Sequence, residues 1–318
     1  MDHALTRLIV SRLLTALPTI LAALALVFVL VRIVPGDPAI VILGDQATAE
    51  ALAKFRADNG LDQPVLVQFV QFMTDAVRGR LGVSMITGQP VLTSILQVLP
   101  YTLELTICGV AVGLVLGVPL GVVAARRPGG WVDWAIRTLT LVGLSIPAFV
   151  SAVLMLLVFA LHLKWFPVIS AGKPWTDVPG HFQSVALPAI NLGLVMMAYV
   201  ARVTRNGMLR SLGEDYIRTA RAKGVPARRV VWKHALRNVL LGIVTFTGLY
   251  FSVLIGNSVL TEIVFNRPGL GKLVVSAIER RDYTLLQGLT IAYAVLVVVI
   301  NAATDLTYGL IDPRVKTA

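Results

Sequence analysis

Residues Val185–Val203 read VALPAINLGLVMMAYVARV, and Thr204–Asn238 continue as TRNGMLRSLGEDYIRTARAKGVPARRVVWKHALRN. The first stretch carries a single charge, Arg202, near its end. About 20 apolar residues in helix cross the roughly 30 Å hydrocarbon core of a bilayer, so this stretch has the length and character of a membrane span. From Arg202 to Arg237 there are ten lysines and arginines. Basic residues accumulate on the cytoplasmic side of membrane proteins, so the connection is expected inside the cell.

Five more blocks of this kind flank it: Ile9–Val31, Thr102–Ala125, Thr138–Leu161, Val239–Val264 and Leu285–Leu310. The expected fold is therefore all-α, a polytopic membrane protein with six transmembrane helices. Pro18, Pro119, Pro147 and Pro188 fall inside blocks, where neighbouring helices can protect the backbone they disturb. The first block follows Arg7 and Arg12, as a signal peptide would. It is too long for an h-region and runs into Arg32-Ile33-Val34-Pro35-Gly36, not a small-residue cleavage site, so a retained span is expected.

Composition agrees. The chain is 56% hydrophobic and 14% charged, with a mean hydropathy of +0.79. Soluble domains are about 45–50% apolar and about 25% charged. A disordered chain, a nucleic-acid-binding domain and most soluble enzymes are excluded. The net charge of +11 then reads as basic residues beside a membrane. A lone cysteine, Cys108, allows no disulfide framework within one copy, and His3, His162, His181 and His234 are too scattered to suggest a metal site.

Seventeen lysines and arginines fall on the side that holds the 204–238 connection, and eleven on the other. Both termini are accordingly expected in the cytoplasm. The resulting division is a cytoplasmic N-terminus (1–8), a first span (9–31), an external helical loop (32–99), a core of five helices (100–311) with the loop 204–238, and a cytoplasmic tail (312–318). Within the external loop, Ala47–Asn59 and Pro64–Val77 read as short helices. Val65, Leu66, Phe69, Val70, Met73 and Val77 recur at helical spacing, as a lid on the bundle or a docking surface would require.

In the 204–238 connection, Ser211-Leu212-Gly213-Glu214 has the spacing of a capping box, so a helix of about twelve residues is expected to begin there. Leu212, Tyr216 and Ala220 share a face, and Gly224 followed by Pro226 marks the end. Such a helix is too short to persist alone in water. It needs either a groove in a partner or an anionic lipid surface.

The run Tyr216-Ile217-Arg218-Thr219-Ala220-Arg221-Ala222-Lys223-Gly224, with His234-Ala235-Leu236-Arg237-Asn238, resembles the cytoplasmic loop of binding-protein-dependent ABC transporter permeases. More narrowly, it resembles the first membrane subunit of dipeptide, oligopeptide and nickel importers. The likeness extends to Pro35-Gly36-Asp37-Pro38, Leu61-Asp62-Gln63-Pro64, Pro100-Tyr101-Thr102-Leu103-Glu104-Leu105, Pro268-Gly269-Leu270-Gly271, Ala277-Ile278, Arg281-Asp282-Tyr283 and Gln287-Gly288. The chain departs from the general E-A-A-x-x-x-G motif: Arg218 and Thr219 stand at the Glu and first Ala, Ala220 at the second Ala, and Gly224 matches.

The resemblance implies a type I ABC importer permease fold in a prokaryotic cytoplasmic membrane, with no catalytic residue and no bond change in this chain. It implies two ATPase subunits or domains carrying the ATP and magnesium, a second permease (a paralogue), an external solute-binding protein and a peptide-like substrate. The contact with the ATPase is expected at Glu214, Asp215, Tyr216, Arg218, Thr219, Ala220, Ala222, Gly224 and His234, where small residues would permit close approach.

Other patterns are weaker. Pro268-Gly269-Leu270-Gly271-Lys272 lacks the first glycine and the terminal hydroxyl of a phosphate-binding loop, and Gly143-Leu144-Ser145-Ile146-Pro147 has proline where a nucleophile elbow needs glycine, so a helix kink is expected there. Gly109, Gly113, Gly117 and Gly121 bare one helix face, for internal packing or for a seam with a second subunit. Asn257, Ser258, Thr261, Glu262, Asn301 and Asp305 are polar groups within the last two blocks, read as interhelical hydrogen bonds or as a pathway for solute. An ion-driven secondary transporter is the rival reading. It would call for buried mid-membrane carboxylates and repeated halves, and neither is evident.

Overall fold

A computed structural model describes residues 18, 20–30, 32–33, 37–44, 46–168 and 177–311, except the side chains of 305, 306 and 308–311. Residues 9–17 of the first expected span, Arg7, Arg12, Pro35, Gly36, Lys173 and the tail 312–318 lie outside the described residues.

The described chain is helical apart from turns and one isolated bridge between Val83 and Pro90. In order the helices are α1 (Ile20–Leu30), α2 (Pro38–Leu43), α3 (Ala49–Asp58), α4 (Val65–Val77), α5 (Val91–Arg126), α6 (Trp131–Ser145) and α7 (Ala148–Met155), which continues into a π-helical turn at Leu156–His162. Then come α8 (Val178–Gly213), α9 (Asp215–Ala222) and α10 (Ala227–Arg229), which passes through a π-helical turn at Val230–Ala235 into α11 (Leu236–Val264). α12 (Leu270–Glu279) and α13 (Tyr283–Ile311) complete the chain. The two short helices expected near Ala47–Asn59 and Pro64–Val77 correspond to α3 and α4.

Among the described residues four helices are long and apolar enough to cross a membrane: α5, α8, the run Ala227–Val264 and α13. α6 and α7 with its π turn meet the test only together, across a bend of 97°. α1 is shorter, being the described part of the first block. Among the described residues, four helices, or five with the bent pair counted as one, thus meet the test for a span, and the sixth expected span is represented by the short apolar helix α1.

The break corrects the expected continuous span Thr138–Leu161. Proline has no N–H to continue the ladder and pushes the residue before it out of helical geometry. Ile146 accordingly adopts φ −87° and ψ 121°, so the kink is a sharp turn between two helices. Boundaries move too. α5 starts at Val91 and not Thr102, so the last part of the expected external loop is helix.

The chain forms two compact units. One comprises the described residues up to Pro100 together with Pro268–Ala302. Its core joins Val91 and Ile95 to Leu270, Ala277, Leu285 and Leu289. Asp37 caps α2 through Ala39 N and holds Arg56 at 2.8 Å. Phe28 packs between Phe69 and Phe72, with the Arg32 guanidinium 4.0 Å from its ring. Asp282 caps α13 through Leu285 N and accepts a hydrogen bond from Ser84 Oγ at 2.5 Å.

The other unit comprises Tyr101–Arg267 and the described residues from Ala303. α8 is its axis. The main core gathers Leu105, Val110 and Val122 of α5, Leu192, Met196, Val200 and Met208 of α8, and Val239, Ile243 and Leu254 of α11. A smaller cluster sets Ala152 of α7 beside Leu187 and Phe265.

Candidate functional site

α9 is eight residues long and has no stability of its own. Two features fix it. Ile217 is fully buried among Met208, Val230, Val231 and Ala235, and such burial contributes about 2 kcal/mol. Its C-terminus closes in a Schellman turn: Gly224 N donates to Arg221 O at 3.0 Å, and Val225 N to Ala220 O at 3.1 Å. The turn requires a left-handed residue, and Gly224 has φ +74°.

The start of α9 differs from the expected capping box. α8 continues through Ser211 and Leu212 to Gly213, so these residues belong to the preceding span. Glu214 is the N-cap and makes no side-chain capping bond. The Ser211 hydroxyl instead meets Tyr216 Oη at 2.5 Å and donates to Ala235 O at 3.2 Å, tying α9 to the turn that enters α11. Competition from this tertiary partner is what the local S-x-x-E pattern does not register.

The expected contact residues divide. Glu214, Asp215, Tyr216, Arg218, Thr219, Ala222 and Gly224 are exposed, while Ala220 and His234 are half-buried. Ala220 packs on the bundle core and Ala222 faces away from it, so the small residues do not form one face. Asp215 and Arg218 pair at 3.2 Å with side chains 91% and 76% exposed. A cleft of about 350 Å3 opens beside them, lined by Gly207, Arg210, Ser211, Glu214, Tyr216 and Asn238 among others.

A second polar assembly surrounds the Val178 end of α8. The Glu104 carboxylate of α5 meets His181 Nε2 at 2.6 Å and pairs with the Arg267 guanidinium. Arg267 is 1% exposed and lies 5.5 Å from the Tyr101 ring. Burial draws its guanidinium below its ordinary pKa, against the opposing pull of Glu104 and Glu262. Glu262 accepts from Thr102 Oγ1 at 2.6 Å and from Ser258 Oγ at 3.3 Å. Asn191 links Ser151 Oγ (2.7 Å), Ala148 O (3.2 Å) and Thr261 Oγ1 (3.3 Å).

Of the residues read as polar groups of the last two spans, Thr261 and Glu262 are therefore buried in bonds between helices, and Ser258 is buried in bonds within α11, to Ile255 O and Glu262. Asn257 and Asn301 are exposed. The side chain of Asp305 lies outside the described residues. The four glycines of α5 face α8. A Cβ at Gly121 would stand 2.6 Å from Ala201 O, and one at Gly117 2.8 Å from Met197 O; at Gly113 it would run into Met196, and at Gly109 it would meet Leu192 Cβ at 3.0 Å.

Sequence reading passed over His181, Asn191, Ser151, Arg267 and the buried Asp133–Arg205 pair, whose two bonds are 2.6 and 2.7 Å. A carboxylate inside an apolar block, as Glu104 is, was the available signal that a cation must lie nearby; Asp133, outside the blocks, gave no such signal. Among the described residues no group of His, Cys, Asp or Glu could hold a metal ion.

A bundle of apolar helices that suspends one short, charged helix between two spans has a counterpart among known proteins. The family described as "Binding-protein-dependent transport system inner membrane component" matches residues 117–317, and its N-terminal companion matches residues 5–106. The chain belongs to this family. It is thus a permease component of an ABC importer, multi-pass in the inner membrane, and an ion-driven carrier is the less favoured reading.

The permease is 42% identical over 314 residues to a putative peptide transport system permease protein of Brucella abortus, covering 98% of this chain and 99% of that one. It is 40% identical over 308 residues to the glutathione transport system permease protein GsiC of Pectobacterium atrosepticum, covering 96% and 98%. A structure of the MetNI methionine ABC transporter in inward-facing conformation superposes with a TM-score of 0.57 at 20% identity, over 70% of this chain and 98% of that one. At that identity the likeness speaks for the fold, the type I importer permease architecture.

Proposed function

We propose that this permease forms half of the passage through which peptides, or a similar small solute, enter the cell, and that α9 is its contact with a separate ATP-hydrolysing subunit. The observation that carries this reading is α9 itself. It is anchored from below by Ile217 and closed by Gly224, and its outer residues Asp215, Arg218, Thr219 and Ala222 remain exposed. A rigid short helix with an open outer face can transmit displacement from a partner into α8 and α11, which it joins. The relatives named as peptide and glutathione permeases support the substrate class.

In this reading ATP and magnesium belong to the partner ATPases, this chain holds no nucleotide site, an external binding protein delivers the solute, and a paralogous permease supplies the other half. The α9 side, with seventeen of the 28 lysines and arginines, faces the cytoplasm together with both termini. The expected contact set is Glu214, Asp215, Tyr216, Arg218, Thr219, Ala222 and Gly224 at the surface, with Ala220 and His234 behind it.

The test is reconstitution of the assembled importer with its binding protein in vesicles. Ala222→Glu, which adds bulk and charge to the exposed face, is expected to insert normally and to abolish peptide-stimulated ATP hydrolysis. A Thr219→Cys variant should cross-link to the ATPase. Unchanged stimulation by the first and no cross-link by the second would overturn the assignment.

A further inference from the structure

A second cleft, of about 360 Å3, opens between α6 and α8 and is lined by Arg137, Thr140, Arg202, Arg205 and Asn206 with apolar neighbours. Its charges are unequally committed. Arg205 is spent on Asp133, which also accepts from Gly129 N at 2.9 Å, so that pair is neutral. The Arg137 guanidinium acts on Asp133 only through space, and the side chain of neither Arg137 nor Arg202 makes a hydrogen bond or ion pair with a described residue. The cleft therefore presents two unspent guanidiniums, with the exposed Asn206 amide beside them.

Depth follows from sequence. Arg202 closes the apolar run of α8, and Arg137 precedes the apolar stretch Thr138–Ser145 of α6. Trp131 and Trp134 lie two turns and one turn before Arg137, 80% and 68% exposed. Exposed tryptophans beside arginines mark the level of lipid headgroups. The anion abundant at that level is the phosphodiester, whose oxygens match planar guanidinium donors.

We propose that the α6–α8 cleft is a headgroup site for an anionic phospholipid, its phosphate held between Arg137 and Arg202. The lipid bridges the first half of the broken span to α8 beside the Asp133–Arg205 pair.

The full-length chain, purified in detergent, is exposed to mixed phosphatidylglycerol and phosphatidylcholine, and retained lipid is counted by native mass spectrometry. The unaltered chain is expected to retain phosphatidylglycerol over phosphatidylcholine. An arginine near an anionic surface strengthens binding about fivefold, so Arg137→Gln with Arg202→Gln should weaken retention about thirtyfold. Arg78→Gln with Arg80→Gln, an equal charge loss outside the cleft, should leave retention unchanged. Should the cleft double variant not fold, each single glutamine replacement reads out as about fivefold. Equal retention by cleft variants and unaltered chain, or equal loss in the Arg78/Arg80 control, would overturn the proposal. So would complete displacement of the lipid by inorganic phosphate, which would make the occupant a free anion.

Discussion

At one end of α8, His181 sits in a closed set with Glu104 and Arg267; at the other, the chain turns into α9, where Asp215 and Arg218 stand almost wholly in water. Both ends are rich in charge, yet they do different work. In the first, the half-buried Glu104 is matched by the buried Arg267 and His181, the buried Glu262 is matched by hydroxyls, and the network fixes the relation of α5, α8 and α11. In the second, water already satisfies the charges, so they add little to the fold and remain available to a partner. Exposure, and not residue type, separates a group that holds the bundle from one that can be gripped.

The comparison breaks most severely if the seam that carries both ends is forced apart. Gly121→Leu would drive a side chain into Ala201 O and Arg205 N, which are backbone and cannot yield. Overpacking of that kind costs about 3 kcal/mol or more, so no monodisperse protein is expected on size-exclusion chromatography. A variant that assembles normally would show the α5–α8 contact to be loose. At the closed end, Arg267→Ala leaves Glu104 without its buried cation and should cost about 3 kcal/mol in a reversible unfolding assay. Adding Glu104→Gln should recover part of the loss; strict additivity would mean that the two groups do not interact.

How far the sequence reveals these two ends differs for a physical reason. The spans, the all-helical class and the glycine stop of α9 follow from runs and spacings within one stretch of chain. Gly224 before Pro226 announces its turn without reference to anything distant. The network cannot be read this way, because Glu104, His181 and Arg267 meet only after three helices pack. The capping box failed for the same reason: Ser211 has a local partner available, but Tyr216 and Ala235 are brought to it by the fold and win. The 97° break lay in between. Pro147 fixed its place, and the size of the turn was decided by packing.

The open end is sharpened by graded changes. Ile217→Ala removes the anchor of α9 and should cost about 2 kcal/mol, with loss of coupled ATP hydrolysis in the reconstituted importer. Gly224→Ala meets no neighbour within 4 Å, so its cost is the left-handed backbone alone, about 1 kcal/mol by thermal unfolding.

Asp215→Ala with Arg218→Ala should change the melting temperature least of all, because the pair is solvated and its partners lose nothing that water does not replace. Yet these side chains form the outer face that a motor subunit would meet, so stimulated ATP hydrolysis should fall while insertion and melting stay as they were. That separation is the decisive property. A residue that supports the fold cannot lose function without losing stability, whereas one that serves only a contact can. If both quantities fell together, Asp215 and Arg218 would belong with Glu104 and Arg267, and the two ends of α8 would differ in exposure without differing in role.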